Sequence, residues 1–130
     1  MFARITTPAR PLSGSRRPPV ASVVLATPNR VQGEILGRSL RRLGCDVQLA
    51  DCAAEARRLI HEGVTTAVLA TDLGDESGWL ACAKLQWAQP EIRVILLGPT
   101  TGRNRPFAEF VGARILLPDI ESVARWFGAR

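Results

Sequence analysis

Three acidic side chains in one short segment are the groups in this sequence best suited to chemistry. Asp72, Asp75 and Glu76 follow an apolar stretch and precede a segment with a helical pattern. Carboxylates at such a position can bind a cation or accept a phosphoryl group. Acids before a helix also complement its dipole and cap its first turn. We favour the second interpretation and keep Asp72 as an alternative phosphoryl acceptor.

A second segment, residues 98–105, combines glycines, hydroxyl groups and two arginines just before a predicted short helix. Backbone amides in such a loop can hold a phosphate group or a nucleotide. The spacing matches neither the P-loop nor the dinucleotide-binding glycine pattern. We therefore expect an ordinary mobile loop, and a small nucleotide- or anion-binding domain stays an alternative.

The sequence has too few metal ligands of the soft type for a zinc site. It contains three cysteines, Cys45, Cys52 and Cys82, without CxxC spacing, and one histidine, His61. A structural zinc site needs four such ligands at characteristic spacings. We predict reduced thiols, no metal site and no cofactor.

Charge divides the chain into two parts. The net charge is +5, and residues 1–20 contribute four arginines and no acid. This segment is also rich in proline, so we predict a disordered basic tail followed by one domain over residues 21–130. No apolar run is long enough to cross a membrane and no signal-peptide core is present, so we expect a cytoplasmic protein. Nucleic-acid binding is not predicted, because no reading helix or aromatic stacking motif occurs.

From residue 21 onwards, apolar strand-like segments alternate with helical ones. The predicted strands are 21–26, 45–50, 64–70, 92–97 and 114–117, and the predicted helices are 31–43, 52–62, 78–88, 106–111 and 120–127. This alternation predicts an α/β fold with a doubly wound parallel sheet and right-handed connections. The flavodoxin-like strand order 2-1-3-4-5 fits best. Any site should then lie at the carboxyl ends of strands one, three and four.

Local patterns refine these elements. The first helix should bury one apolar stripe, formed by Val31, Ile35, Leu36, Leu40 and Leu43. Gly44 is predicted to end it in a left-handed conformation. Asp51 is predicted to cap the second helix, and Gly63 to end it. Trp79 and Trp87 are predicted to share a face of the third helix and to pack in the core.

Several segments in order resemble the receiver domain of bacterial response regulators over about residues 21–127. The first helix to the second helix is similar in its pattern Leu40-x-x-Leu43-Gly44-x-x-Val47-x-x-Ala50, followed by Ala53-Ala54-Glu55-Ala56 and Leu59. Leu73 and Gly78 are similar to the family's loop after the phosphate-accepting aspartate. Gly74 replaces the family's proline there.

The resemblance also implies where the phosphorylation chemistry should be. In receivers an acid pair ends strand one, the acceptor aspartate ends strand three, a hydroxyl residue ends strand four, and a lysine ends strand five. The matching positions here are Ala26, Thr27, Ala70, Gly98 and Leu117. An acyl phosphate requires a metal and a cation to neutralise the incoming charge. The resemblance therefore implies a receiver-like domain whose phosphorylation site is degenerate.

We accordingly predict a non-catalytic pseudo-receiver that acts as a protein–protein interaction module in two-component or phosphorelay signalling. Its partner would be a kinase, a regulator or an assembly component, bound through the face formed by the fourth helix, fifth strand and fifth helix. A homodimer through the same face is a second possibility. The candidate anchors are Phe107, Phe110, Trp126 and Phe127, of which at least half are expected to cover the sheet instead. The alternative function is that of a response regulator phosphorylated at Asp72.

Overall fold

The structure is a computed structural model that describes residues 21–128, and it consists of five strands alternating with five helices. The strands are β1 (Ser22–Ala26), β2 (Asp46–Ala50), β3 (Thr66–Ala70), β4 (Arg93–Leu97) and β5 (Arg114–Leu116). The helices are α1 (Arg30–Arg42), α2 (Ala53–Leu59), α3 (Gly78–Ala88), α4 (Asn104–Phe110) and α5 (Ile120–Gly128). The predicted N-terminal tail, residues 1–20, lies outside the described residues.

All strand pairs are parallel, and their order is β2-β1-β3-β4-β5, which confirms the predicted flavodoxin-like fold. Ala26 at the end of β1 aligns with Ala50 and Leu69 on its two neighbours. Leu97 at the end of β4 aligns with Ala70 and with β5. The carboxyl ends of the strands therefore form one edge, as a doubly wound sheet requires.

Two apolar layers cover the two faces of the sheet. One contains Val24 and Leu96 with residues of α2, α3 and α4, and the other contains Val23 and Leu25 with residues of α1 and α5. Alternate residues of β1 thus enter opposite layers, and the strand is buried on both faces. This explains why β1 and β4 are continuous apolar runs in the sequence.

The buried face of α1 differs from the predicted stripe. Leu36 and Leu40 are buried as predicted, but Val31 is 67% exposed and Ile35 and Leu43 also reach solvent. Their places are taken by Gly33 and Gly37. A Cβ at Gly37 would lie 3.2 Å from the Leu49 side chain, so α1 packs closely on its glycine face, and the helix turns away from the predicted stripe.

The ends of the first two helices test the predicted caps. Gly44 has φ of +96°, which confirms the left-handed conformation after α1. The prediction that Asp51 caps α2 is wrong, because the N-cap is Cys52 and the backbone amide of Asp51 donates to Glu55. The helix ends at Leu59, before the predicted stop at Gly63.

The prediction that the tryptophans of α3 pack in the core is confirmed for Trp79, which packs against the apolar layer, and is wrong for Trp87. Trp79 is half-buried, whereas Trp87 is 90% exposed. Eight residues along an α-helix correspond to a rotation of about 80° beyond two full turns, so the two side chains leave the helix in different directions. Among residues 21–128, no helix is both long enough and apolar enough to span a bilayer.

Candidate functional site at the carboxyl edge of the sheet

Neutral groups occupy the end of β1, where the resemblance would require an acid pair. Ala26 is fully buried and Thr27 is 4% exposed. The Thr27 hydroxyl accepts a hydrogen bond from the Asn29 amide (3.2 Å) and donates to Oε1 of Gln32 (3.3 Å). Nε2 of Gln32 in turn donates to the carbonyl of Pro118 (3.3 Å). This chain of neutral groups connects the carboxyl ends of β1 and β5.

The ends of β3, β4 and β5 are equally free of ionisable side chains. Ala70 packs against the apolar layer, and Leu117 is 44% exposed. At Gly98, a Cβ would lie 2.9 Å from Cγ2 and 3.1 Å from Oγ1 of Thr71. Thr71 therefore places its hydroxyl group beside Gly98 at the centre of this edge. Thr71 is not predicted from the sequence, because the resemblance assigns the hydroxyl to the end of strand four.

Asp72, the alternative acceptor, lies two residues beyond the end of β3 and is exposed to solvent. Its Oδ1 accepts a hydrogen bond from the Gly74 amide (2.9 Å), and Gly74 has φ of +86°. Asp72 also forms an isolated bridge with Ser77. These contacts hold Asp72 in a tight turn, a common role of aspartate.

Asp75 caps a helix, but not the one that follows it. Its Oδ1 accepts from the Ala53 amide (2.9 Å) and its Oδ2 from the Ala54 amide (3.0 Å), both in the first turn of α2. These two amides, Ala53 first, lower the pKa of the Asp75 carboxyl. α3 is capped instead by Ser77, whose Oγ accepts from the Leu80 amide (3.1 Å). The expectation that the acids cap the following helix is therefore corrected.

Glu76 forms the centre of an ion-pair network between two helices. Its side chain is only 9% exposed and lies 3.1 Å from the guanidinium of Arg57 on α2 and 3.2 Å from the ammonium of Lys84 on α3. The three carboxylates of this loop thus point to three different sets of partners. Within residues 21–128, no group of three acidic, histidine or cysteine side chains is placed to hold a metal ion.

The loop from residue 71 to residue 77 closes tightly on the end of β3. The Gly78 amide donates to the carbonyl of Thr71 (2.8 Å), and the Leu73 amide donates to that of Glu76 (3.0 Å). A Cβ at Gly78 would overlap the carbonyl oxygen of Ala70. Only glycine fits there, so the first turn of α3 lies directly against the strand end.

The loop of residues 98–105 is held by one backbone bond to β5 and by one side-chain bond within the loop. The Gly98 amide donates to the Leu116 carbonyl (2.9 Å), and the Asn104 side chain donates to the Pro99 carbonyl (2.8 Å). Arg103 precedes α4 without a side-chain cap. These bonds fix the start of the loop on β5 and join its two ends, and the anion-binding alternative stays a prediction.

The four predicted interface aromatics do not form one surface. Phe107 is 46% exposed and Phe110 is 84% exposed, and the Phe107 ring lies 4.8 Å from Trp79 and 6.5 Å from Phe110. These two therefore belong to a cluster between α3 and α4. Trp126 is half-buried on α5. Phe127 is 2% exposed and packs in the core beneath α5, so it is one of the aromatics that cover the sheet and not an interface anchor.

Two of the three thiols are shielded from reagents by burial. Cys45 and Cys82 are buried, and none of the three cysteines forms a disulfide. Burial raises the pKa of Cys82 to about 11. A thiol with such a pKa is almost entirely protonated at neutral pH and is a poor nucleophile.

Comparison with known proteins identifies the fold. No protein-family model and no curated protein matches the sequence. Among solved structures, the receiver domain of DrrB from Thermotoga maritima, activated with BeF3, is 20% identical with a TM-score of 0.69, and the match covers 85% of this chain and 98% of that one. The receiver domain of Ssk1 from Saccharomyces cerevisiae, bound to the histidine phosphotransfer protein Ypd1, is 19% identical with a TM-score of 0.68, covering 76% and 79%.

A response regulator from Burkholderia pseudomallei, determined with a phosphorylated aspartic acid and a calcium ion, is 27% identical with a TM-score of 0.69. That match covers 81% of this chain and 65% of the other. The chain thus has the fold of response regulator receiver domains. Domains of this kind are generally signalling modules without enzymatic activity.

Proposed function

We propose that this chain is a pseudo-receiver: a signalling module that binds a protein partner and is not switched by phosphorylation of an aspartate. The observation that carries the proposal is the content of the carboxyl edge. Ala26 and Ala70 stand at the ends of the two central strands, and Thr27 is bound within a neutral chain of hydrogen bonds. The residues at the ends of β1, β3, β4 and β5 thus offer a phosphoryl group neither a carboxylate to hold a metal nor a lysine to neutralise its charge.

The contacts of the loop before α3 support the same proposal. In a phosphorylation switch, the added group shifts a population between two conformations. Here Asp75 and Glu76 connect the loop to α2 and α3 through two backbone amides and two cations. Such contacts favour one loop conformation. Regulation would then depend on partner concentration and affinity.

The second candidate function is phosphorylation of Asp72. Its carboxylate is exposed at the correct edge of the sheet, and the Thr71 hydroxyl lies beside the end of β4. Against it stand the bond from Oδ1 to the Gly74 amide and the lack of a second carboxylate at the ends of β1 and β3.

Beryllofluoride, which forms a mimic of aspartyl phosphate in the presence of magnesium, separates the two candidates. The full chain labelled with ¹⁵N is titrated with MgCl₂ alone and then with beryllofluoride, and amide shifts are followed by NMR. The pseudo-receiver predicts no saturable shift at the carboxyl edge in the second step. Shifts that saturate in the wild type and vanish in Asp72→Ala would replace it with the second candidate.

The proposed partner contact is on the side of α4, β5 and α5, and the family's protein complexes make a protein the expected partner class. Ssk1, for example, was determined in complex with Ypd1. Homodimerisation through the same side remains the alternative assembly. Sedimentation velocity of the full chain over a wide concentration range separates a monomer awaiting a partner from a dimer.

A further inference from the structure

A groove between α4 and α5 concentrates positive charge on a domain whose total charge is balanced. Two adjoining clefts, of about 980 Å³ and about 530 Å³, share Arg93, Arg105, Ile115, Leu116 and Trp126 in their walls. We call their combined surface the arginine groove. Its charged lining consists of four arginines and one glutamate: Arg93, Arg105, Arg114, Arg125 and Glu109.

The shortness of β5 creates this groove. β5 has three residues and begins opposite Ile95, so Arg93 and Val94 of β4 have no partner on that strand. The start of β4 therefore has an unpaired edge on this side, where Arg93 is exposed although Val94 is buried. The floor of the arginine groove is apolar. It consists of Ile115, which is buried, and of Leu116 and Trp126, which are half-buried.

The charge of the groove is local. Residues 21–128 contain 12 basic and 12 acidic side chains, so the domain as described has no net charge. Four of the 12 basic groups line the groove with a single acid. Of these, only Arg125 forms an ion pair among the described residues, with Glu121 at 3.0 Å. The side chains of Arg93, Arg105 and Arg114 are exposed.

We propose that the arginine groove binds an acidic segment of a partner protein that carries apolar side chains between its carboxylates. Arginine forms bidentate hydrogen bonds with carboxylates, and the floor of Ile115, Leu116 and Trp126 accepts apolar anchors. The inference rests on the proposed function, since it names the chemistry of the partner for that same side of the domain.

Charge argues against the other occupants. Residues 1–20 carry four arginines and no acid, so this segment of the chain would be repelled. A second copy docked by a twofold axis would bring the arginines of both grooves together. A nucleic acid would satisfy the arginines but would leave the apolar floor without side chains to cover it.

Selection from a random peptide library, with the full chain as bait, tests the proposal. The matched baits are the double variant Arg105→Glu/Arg125→Glu and the control Arg38→Glu, which reverses an exposed charge on α1. Peptides retained by the wild type and by the control should be enriched in Asp and Glu flanked by apolar residues. Their affinity for the double variant should be about a hundredfold lower than for the wild type. Each of the two charge reversals alone should lower the affinity by about tenfold.

Each other outcome overturns the proposal. Selected peptides without an acidic excess, or with equal affinity for the double variant, remove the groove as an acidic-peptide site. An oligonucleotide that displaces the peptides and binds more tightly at the same ionic strength assigns the groove to nucleic acid. Concentration-dependent dimerisation that the double variant abolishes assigns it to a second copy. Circular dichroism must show that all variants remain folded.

This experiment is independent of the beryllofluoride titration. A chain that responds to beryllofluoride but still selects acidic peptides refutes the pseudo-receiver and retains the groove. A chain that does neither retains the pseudo-receiver and loses the groove.

Discussion

The carboxylate of Asp75 accepts a hydrogen bond of 2.9 Å from the backbone amide of Ala53, which lies 22 residues earlier in the chain. Together with the second bond, to the Ala54 amide, the Asp75 carboxylate caps the N-terminus of α2, a helix that lies earlier in the chain than the loop carrying Asp75. The loop after β3 and the start of α2 are therefore fixed together.

Replacement of Asp75 by alanine should lower the melting temperature by a few degrees at pH 7, because two amides of α2 lose their acceptor. The effect should depend on pH. The folded-state pKa of Asp75 is lowered, so its stabilisation is complete above the unfolded pKa of about 3.9 and is lost as the pH falls through the lower folded value.

Thermal unfolding of wild type and Asp75→Ala from pH 7 to pH 2 measures this. The two melting temperatures should converge in the acid range. Asp119 also has a lowered pKa, caused mainly by the Ser122 amide, but it is present in both proteins and cancels in the difference. A constant difference down to pH 2 would contradict a role for the Asp75 carboxylate.

Replacement of Glu76 by glutamine should lower the free energy of unfolding by about 1–2 kcal/mol. The Glu76 carboxylate is mostly buried and pairs with two cations that are partly exposed. The expected loss of stability therefore lies between that for a surface ion pair and that for a buried one. Glu121→Gln is the matched control, since it removes the exposed pair with Arg125. Urea denaturation should give less than about 0.5 kcal/mol for the control. Equal losses would show that the Glu76 network adds nothing beyond a surface pair.

Replacement of Gly78 by alanine should destabilise the domain by about 3 kcal/mol or more, because the new Cβ would overlap the Ala70 carbonyl and force α3 away from β3. Gly74→Ala is the comparison. Its site is open but has φ of +86°, so only backbone strain of about 1 kcal/mol is expected. Urea denaturation of the two variants separates steric from backbone effects. A smaller loss at residue 78 than at residue 74 would contradict the tight loop closure.

The Cys82 thiol should be inert in the folded protein. With a pKa of about 11, roughly one molecule in a thousand carries the thiolate at pH 8, and burial blocks access as well. Iodoacetamide labelling at pH 8, read by peptide mass spectrometry, should modify half-exposed Cys52 first. Cys82 should react only when urea unfolds the chain. Early labelling of Cys82 would show that the layer beneath α3 opens readily.

The sequence predicts the sheet because β1, β3 and β4 are largely apolar runs that alternate with helical segments. The bounds of α3 and the left-handed Gly44 were both predicted from local signals. Local signals could not predict which face α1 buries, because that depends on how closely Gly33 and Gly37 let the helix approach the sheet. Nor could they predict the depth of Phe127, which lies between α5 and the sheet.

The candidate site shows a similar division. The resemblance gives positions such as Ala70 and Thr27, and the structure adds what surrounds them. The hydrogen bonds that run from Thr27 through Gln32 to Pro118 are one example. The bond between Gln32 and Pro118 joins residues 86 positions apart, which no short sequence motif can encode. The amides bound by Asp75 and the Arg57 partner of Glu76 likewise belong to α2 and are brought to the loop by tertiary packing, whereas Lys84, the second partner of Glu76, lies on the following helix α3.

Intact mass measurement after incubation of the full chain with acetyl phosphate and magnesium tests the central claim most directly. The account predicts an unchanged mass, under conditions in which an active receiver run in parallel gains one phosphoryl group. A gain of one phosphoryl group that is lost in Asp72→Ala but retained in Asp75→Ala would contradict the account and identify Asp72 as the acceptor.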